Sequence, residues 1–400
     1  MHCTAVPHRR RSRPDLELAD VFRQWTNRLP RLDGQQARVV RDILRCRTAD
    51  LGGHLHECER CGLREIAYNS CRNRHCPKCQ GPRQFRWLAA QQQHLLPIEY
   101  HHVVFTVPDQ LHTFFRANPK LAYSLLFAAV AETLHEVASN PKNLGAKIGF
   151  SCVLHSWTQK LLFHPHIHCV VTGGGLHPNG QRWVAAKRGF LFPVRILGQV
   201  FRGKLLRKLE LSLVHGSLHL QTAESDPHAR LRAAARKNWV VYSKPPFAGP
   251  EQVLRYLGHY THRVAISNSR LVALEDGRVT FLWRDRANGN SKQVMTLEVA
   301  EFVRRFFLHL VPLGLMRIRH YGLLANPTRR KHLERCRRLL GIEDDPTSMP
   351  EAQTPPRFPE QVIERRDNLL CPRCGTDTLV VIGCVIPQTR ICTRPRARAP

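Results

Sequence analysis

The stretch His164-Pro-His-Ile-His-Cys-Val-Val171, which runs directly into Thr172-Gly-Gly-Gly-Leu176, predicts the strand around which the fold is organised. An apolar run follows the alternating histidines and the glycines end it, which is typical of a buried β-strand. Because side chains alternate between the faces of a strand, we expect His166 and His168 to project to one side and Ile167 to pack into a core on the other. Two adjacent imidazoles on a rigid strand supply half of a divalent-metal site, although a histidine-rich hairpin edge would show the same pattern.

The charge of the chain indicates a polyanionic partner. Its 400 residues include 61 Lys and Arg against 31 Asp and Glu, a net charge of +30 that is spread along the whole sequence. Nucleic acid is therefore the favoured partner. An acidic membrane is the alternative, but we expect no membrane partner, because the most apolar helical run, residues 121–138, contains Glu132, His135 and Glu136.

The 14 cysteines are clustered, and in a chain without an evident signal peptide this favours zinc binding over disulfides. Cys58-x2-Cys61 and Cys76-x2-Cys79 have the paired-knuckle spacing of a zinc ribbon. We therefore expect these four thiolates to bind one structural zinc ion. The alternative is a set of unrelated surface thiols.

The remaining ligands of this region allow a second, interleaved zinc site, and the sequence leaves the pairing of ligands between the two sites open. Its candidate ligands are Cys46, His54 or His56, Cys71 and His75. The basic residues between the ligands, Arg72, Arg74 and Lys78, are expected to face outward and to contact DNA phosphates.

The patterns of apolar residues predict an α+β fold with three consecutive segments. Residues 1–95 form a helical lead-in and a small zinc-binding domain, and residues 96–342 form the main domain. Within the main domain, residues 101–108, 149–159 and 162–172 have the β-branched, apolar composition of core strands. Residues 343–400 are a Pro-rich linker and a basic tail, in which Cys371-Pro-Arg-Cys374 has the spacing of a single zinc knuckle.

Two further features are candidates for a catalytic site. Gln159 ends the strand that precedes the histidines and is a candidate third metal ligand, although a hydrogen bond at the strand end is as common for Gln. A helix predicted from Glu251 carries Tyr256 and Tyr260 on one face. Tyrosines on a helix are most often core or surface residues, but Arg255, His259, His262 and Arg263 surround this pair and suit a phosphate.

Together these motifs resemble the two-tyrosine HUH transposases of rolling-circle insertion sequences of the IS ninety-one type, over roughly residues 15 to 340. His166-Ile-His168 is similar to the family's His-hydrophobic-His motif, and Phe105-Thr-Val-Pro108 is similar to its first strand. Tyr256-x3-Tyr260 resembles the family's nucleophile helix. The segment Asn69-Ser-Cys-Arg-Asn-Arg-His-Cys-Pro-Lys-Cys79 resembles its zinc-binding domain.

The resemblance implies an HUH nuclease domain, a central antiparallel sheet flanked by helices, preceded by a small zinc-ribbon-like domain. It also implies Mg²⁺ or Mn²⁺ on His166, His168 and Gln159, single-stranded DNA ends and target as substrate, and attack by Tyr256 and Tyr260. The family's reaction is rolling-circle transposition through a 5′-phosphotyrosine intermediate, in a bacterial cytoplasm and associated with the nucleoid.

Two other functions fit the same residues. A plasmid replication initiator or relaxase would share the histidines and tyrosines, but the zinc module and the absence of a G-x-x-x-x-G-K-[ST] helicase motif from the sequence favour a transposase. A non-catalytic zinc-dependent nucleic-acid-binding protein would bind DNA without cleaving it. Only the non-catalytic protein is expected to form no covalent protein–DNA adduct.

Overall fold

The computed structural model describes residues 16–26, 32–220, 226–247, 252–253, 258, 264–285, 288–342 and 370–387. The α-helices of these residues are α1 (Leu18–Thr26), α2 (Gly34–Arg45), α3 (Pro77–Gln92), α4 (His112–Ala117), α5 (Pro119–Ser139), α6 (Val194–Val214), α7 (Pro227–Ala235), α8 (Val299–Phe307) and α9 (Arg329–Leu339). The strands are β1 (Gly53–Cys58), β2 (Arg64–Tyr68), β3 (Tyr100–Thr106), β4 (Lys147–Trp157), β5 (Phe163–Leu176), β6 (Trp183–Ala185), β7 (Val241–Phe247), β8 (Leu271–Glu275), β9 (Arg278–Asp285), β10 (Ser291–Glu298), β11 (Ile318–Gly322) and β12 (Leu379–Val385).

The chain divides into two compact units, each assembled from separate stretches of sequence. The first unit comprises Met1–Gln80, Val264–Phe306 and Glu364–Pro400, and the second comprises Gly81–Arg263 and Phe307–Ile363. This division differs from the three consecutive segments expected from the sequence. The physical reason is backbone pairing, because β12 near the C-terminus pairs along its length with β1 near the N-terminus.

The second unit is built on an antiparallel sheet in the order β11-β4-β5-β3-β7, with β6 paired to the end of β5. The predicted strand with the histidines is β5, and it lies at the centre. Ile167, Cys169 and Val171 project from one face of β5 and are fully buried against α5 and α6. The predicted α+β architecture and the predicted orientation of Ile167 are therefore confirmed.

Helix α5 covers this apolar face. It begins with Pro119 in its first turn, a position where the missing amide hydrogen costs no hydrogen bond. By length and composition α5 could cross a membrane, but 61% of its most apolar 18-residue window is buried within the structure. Its apolar composition therefore matches its position in the core of the second unit.

The first unit contains two three-stranded antiparallel sheets, ordered β12-β1-β2 and β10-β9-β8. A tight turn joins β8 to β9, and its residues Asp276 and Gly277 both have positive φ values, of 48° and 74°. Two consecutive positive φ angles define a turn whose twist matches that of the paired strands. Helix α1 contacts helix α8, where the rings of Phe22 and Phe306 meet edge to face with centroids 5.6 Å apart.

His309 is a buried, neutral histidine in the second unit. Its Nε2 lies 3.0 Å from the carbonyl oxygen of Leu161, and its Nδ1 lies 3.3 Å from the hydroxyl of Ser156. A carbonyl can only accept, so Nε2–H donates to it and Nδ1 accepts from the serine. Burial lowers the pKa of His309 to about 4.

This pKa predicts a stability that depends on pH. Because the folded pKa lies below the unfolded value of about 6.5, the unfolded chain binds a proton first, so stability is full at pH 7 and falls below pH 6.5. Between pH 7 and pH 5 the protonation of this histidine should lower the free energy of unfolding by about 2 kcal/mol. Urea denaturation of the wild type and of His309→Gln at both pH values measures this decrease. An equal loss in the two proteins would contradict the assignment.

Candidate metal centres and the nucleophile segment

Three histidines meet on the face of the sheet opposite the α5 core. His166 on β5 pairs directly with His155 on β4, and His168 follows two residues later on the same face. One ring nitrogen from each of the three lies within 4.8 Å of the others. His155 and His168 are buried and His166 is half-buried, so the cluster has one side accessible to solvent. Three imidazoles converging in this way suit a transition-metal or divalent ion.

Hydrogen bonds orient these rings. The Nδ1 of His166 lies 2.7 Å from the carbonyl oxygen of His164. Because a carbonyl oxygen can only accept a hydrogen bond, Nδ1 carries the proton and Nε2 has a free lone pair. That Nε2 lies 3.1 Å from Nε2 of His168. The Nδ1 of His168 in turn lies 3.0 Å from Nε2 of His102, which is buried on β3. If Nδ1 of His168 donates to His102, both facing Nε2 atoms are free to bind one ion.

The third histidine was not among the ligands expected from the sequence. Gln159, the expected third ligand, lies in the turn after β4, whereas His155 stands within the strand and directly opposite His166. Its ring stacks on that of Trp157 with centroids 4.6 Å apart, which fixes its direction. Plain counting back from the turn would put Pro165, and not His166, opposite His155, because the register shifts between His155 and Trp157.

Four cysteines of the first unit form one closed cluster: Cys46, Cys71, Cys76 and Cys79. Cys46 and Cys79 are 3.5 Å apart between sulfurs, and Cys71 and Cys79 are 3.6 Å apart. Hydrogen bonds from Cys46, and then from Cys71 and Cys76, hold the pKa of the Cys79 thiol far below its usual value, whereas the same crowding raises the pKa of Cys76. A bound cation is what would allow all four to be thiolates together.

The pairing of cysteines differs from the expected one. Cys58 and Cys61 do not join Cys76 and Cys79 but lie with Cys371 and Cys374 in a second four-cysteine cluster. The reason is that β12 pairs with β1, which brings the turn of Cys371 and Cys374 to the end of β1 where Cys58 and Cys61 lie.

The two histidines expected as zinc ligands lie outside both cysteine clusters. His54 on β1 has its Nδ1 3.8 Å from the sulfur of Cys384, its partner on β12. His75 is buried, and its backbone amide donates to the side-chain oxygen of Asn73 at 2.9 Å. The first cluster is therefore completed by cysteines alone, as far as the described residues extend.

The basic residues expected at the DNA interface differ in their surroundings. Lys78 forms an ion pair with Glu17 at 2.7 Å, and its side chain is only 17% exposed, so it does not face outward as expected. Arg72 is exposed and has a positive φ of 55°, and Arg74 is half-buried. Arg255 and Arg263, together with Tyr256 and Tyr260, lie outside the described residues.

The described residues beside the tyrosines are held on the histidine face of the sheet. Val253 is fully buried and packs with Leu88 of α3, Tyr100 of β3 and Val170 of β5. Val170 lies two residues after His168 and on the same face, because side chains alternate along a strand.

Gly258, between the two tyrosines, is fixed by α3. Its carbonyl oxygen accepts a hydrogen bond from the side-chain amide of Gln84. A Cβ on residue 258 would lie 2.8 Å from Cδ1 of Leu88 and 3.0 Å from Nε2 of Gln84, so glycine allows a close approach here. Val253 and Gly258, which lie on either side of Tyr256 in the sequence, are thus both held by packing in the second unit.

Sequence comparisons place the chain among transposases. The model of a family described as "Transposase zinc-binding domain" matches residues 17–107, and that of a family described as "Putative transposase" matches residues 149–332. A protein of Sinorhizobium fredii named "Putative transposase y4qJ" is 47% identical over 378 residues, which cover 92% of this chain and 94% of that protein. The "Transposase for insertion sequence element IS801" of Pseudomonas savastanoi pv. phaseolicola is 29% identical over 303 residues, 73% of this chain and 70% of that protein.

Among solved structures, TrwC complexed with a 27-mer DNA is 15% identical and covers 39% of this chain and 70% of that chain, with a TM-score of 0.21. A likeness at that score carries no further conclusion. The extent of the match to the Sinorhizobium protein and the two family matches decide the question: the chain belongs to the transposases of the IS ninety-one type, with an N-terminal transposase zinc-binding domain.

Proposed function

We propose that this transposase nicks and rejoins single-stranded DNA at the histidine face of its second unit, with a tyrosine as the nucleophile. The observation that supports the proposal is the packing of Val253 with Val170, which puts a residue close before Tyr256 in the sequence on the face that holds His155, His166 and His168. The net charge of +30 supports a DNA substrate, and the proposed location is the bacterial cytoplasm, at the nucleoid.

The three histidines are the proposed ligands of the catalytic ion, Mg²⁺ or Mn²⁺, which when bound supplies Lewis-acid polarisation of the scissile phosphate. The protein's own contribution is orientation. The carbonyl oxygen of His164 fixes the tautomer of His166, and in this proposal Nδ1 of His168 donates to Nε2 of His102, so that both rings present lone pairs to one point. Trp157 holds the ring of His155 in place.

The proposed reaction conserves the energy of the cleaved bond. The phenolic oxygen of a tyrosine loses its proton and attacks the phosphorus, a tyrosine–phosphate bond forms, and the bond to the 3′-oxygen breaks. The 3′-oxygen takes up a proton and leaves as a hydroxyl, and the 5′-phosphate remains on the enzyme. We propose that Tyr256 makes the first cut and that Tyr260 holds a second strand end during transfer.

The adduct can be detected directly. A labelled single-stranded oligonucleotide from the element's end is incubated with the protein and Mg²⁺ or Mn²⁺, with an EDTA control, and is resolved on a denaturing gel. We expect a metal-dependent, protease-sensitive adduct that Tyr256→Phe abolishes in the first cut. Tyr242→Phe, an exposed tyrosine of β7, is the matched control and should react like the wild type.

The other possible results of this experiment would each change the proposed mechanism. An adduct that persists in Tyr256→Phe but is lost in Tyr260→Phe would move the first attack to Tyr260. An adduct that survives in Tyr256→Phe/Tyr260→Phe would refute the tyrosine mechanism. Specific binding with no adduct on any end sequence would support the non-catalytic zinc-dependent DNA-binding protein instead.

The proposed donation from His168 to His102 predicts an effect on metal affinity. In His102→Ala the proton on His168 is no longer fixed on Nδ1, so the affinity for Mn²⁺ should fall by roughly 10- to 100-fold. Isothermal titration of Mn²⁺ into the protein measures this change. His228→Ala removes an exposed histidine as a control, and an unchanged affinity in His102→Ala would contradict the proposed role of His102.

The close approach at Gly258 predicts a loss of rate. In Gly258→Ala the added methyl displaces the segment from Leu88 and Gln84, so adduct formation should slow by on the order of 10- to 100-fold. Binding of the oligonucleotide should change little. Leu88→Val removes the obstructing Cδ1 atom and should restore part of the rate in the double variant. A Gly258→Ala protein with the wild-type rate would show that this anchor is dispensable.

A further inference from the structure

The second four-cysteine cluster is built from two turns of the same design that lie at opposite ends of the chain. In each, a Cys-x2-Cys pair is followed by glycine: Cys58-x2-Cys61-Gly62 and Cys371-x2-Cys374-Gly375. The amide of each glycine donates to the carbonyl oxygen of the first cysteine of its pair, at 2.8 Å in both turns. Both glycines have positive φ values, of 67° and 72°, which an L side chain rarely adopts.

The sulfur positions fit a single tetrahedral ion. Cys58 and Cys374 are 3.6 Å apart between sulfurs, and Cys61 and Cys371 are 3.5 Å apart. A disulfide needs about 2.0 Å, so these pairs are not bonded to each other. Zinc binds thiolates at about 2.3 Å, which places neighbouring sulfurs of a tetrahedron roughly 3.8 Å apart. The four observed sulfurs lie within 4.8 Å of one another.

Two threonine hydroxyls complete the surroundings of the sulfurs. Thr378 lies 3.2 Å from the sulfur of Cys58, and Thr376 lies 3.1 Å from that of Cys374. Hydroxyl groups that donate to sulfur favour the thiolate form that a metal requires. Both threonines belong to the C-terminal stretch, so that stretch supplies half of the ligands and both of the hydroxyl groups that contact them.

Backbone pairing brings the C-terminal turn to this position. β12 pairs with β1 from Gly53 opposite Val385 to Cys58 opposite Leu379, and the amide of Glu59 donates to the carbonyl oxygen of Thr378 at 3.0 Å. Cys371 is 1% exposed. The matched family regions, residues 17–107 and 149–332, include neither Cys371 nor Cys374.

We propose that Cys58, Cys61, Cys371 and Cys374 bind a second zinc ion, separate from the one held by Cys46, Cys71, Cys76 and Cys79, and that this ion ties the C-terminal tail to the N-terminal domain. The described residues 370–387 then complete the zinc-binding domain, and metal binding at this site joins them to β1 and its turn in one structural unit. The inference concerns a structural site and does not depend on the nuclease mechanism.

The zinc content of the full-length protein tests the proposal. Measured by inductively coupled plasma mass spectrometry after extensive dialysis, the wild type should contain two zinc ions per chain. Cys371→Ser/Cys374→Ser should contain one, and Cys58→Ser/Cys61→Ser should also contain one. Cys384→Ser, an exposed cysteine on β12, is the matched control and should retain two. Two ions in Cys371→Ser/Cys374→Ser, or one in the wild type, would overturn the proposal.

A second measurement uses unaltered cysteines, so it does not depend on how the serine variants fold. A site for a specific protease is inserted after Pro350, and the zinc-loaded protein is cleaved and run on a gel-filtration column. The C-terminal fragment should co-elute with the rest of the chain and should separate after a chelator removes the zinc. Separation of the fragment from the zinc-loaded protein, or its retention after both ions are removed, would refute the zinc tie.

Discussion

The structure of the second unit depends on the alternation of side chains along β5. One face of this strand is committed to the apolar core under α5 and α6, and the other face carries His166 and His168. A shift of one residue in register would bury the imidazoles in that core and expose Ile167 on the histidine face. The apolar contacts on one face therefore fix where His166 and His168 stand on the other.

This constraint also explains which parts of the protein could be predicted from its sequence. The strands, the face of Ile167 and the Asp276-Gly277 turn follow from local patterns, and the structure contains them. The partner of a cysteine pair does not follow from local spacing. Cys58 and Cys76 both begin a Cys-x2-Cys motif, but only the first is followed by the glycine that a knuckle turn requires, and the same glycine follows Cys374. The shared turn chemistry, and not the distance along the chain, identifies the partners.

The third histidine of the cluster, His155, also could not be identified from local sequence patterns. His155 has no motif of its own, and its place in the site comes only from the register of β4 against β5. Such register is a tertiary property, since bulges shift it, as they do between Ile148 and Phe150 and between His155 and Trp157. The positions of Tyr256 and Tyr260 lie outside the described residues, so the sequence remains the basis for their assignment. What the structure adds is the anchoring of Val253 and Gly258 on either side of Tyr256.

The two kinds of candidate metal site in this chain differ in how many coordination positions of the ion the protein ligands leave unfilled. Four thiolates fill the preferred tetrahedral shell of zinc, so a cluster of four cysteines has no position for a substrate atom and can act only by holding chain segments together. Three imidazoles leave positions on an octahedral ion unfilled, and phosphate oxygens or water can take them. The histidine cluster, with His166 half-buried at its accessible side, is therefore the only one of the three clusters among the described residues whose ligand set permits chemistry on DNA. The cysteine clusters can serve such a reaction only indirectly, by holding together the chain segments of the first unit.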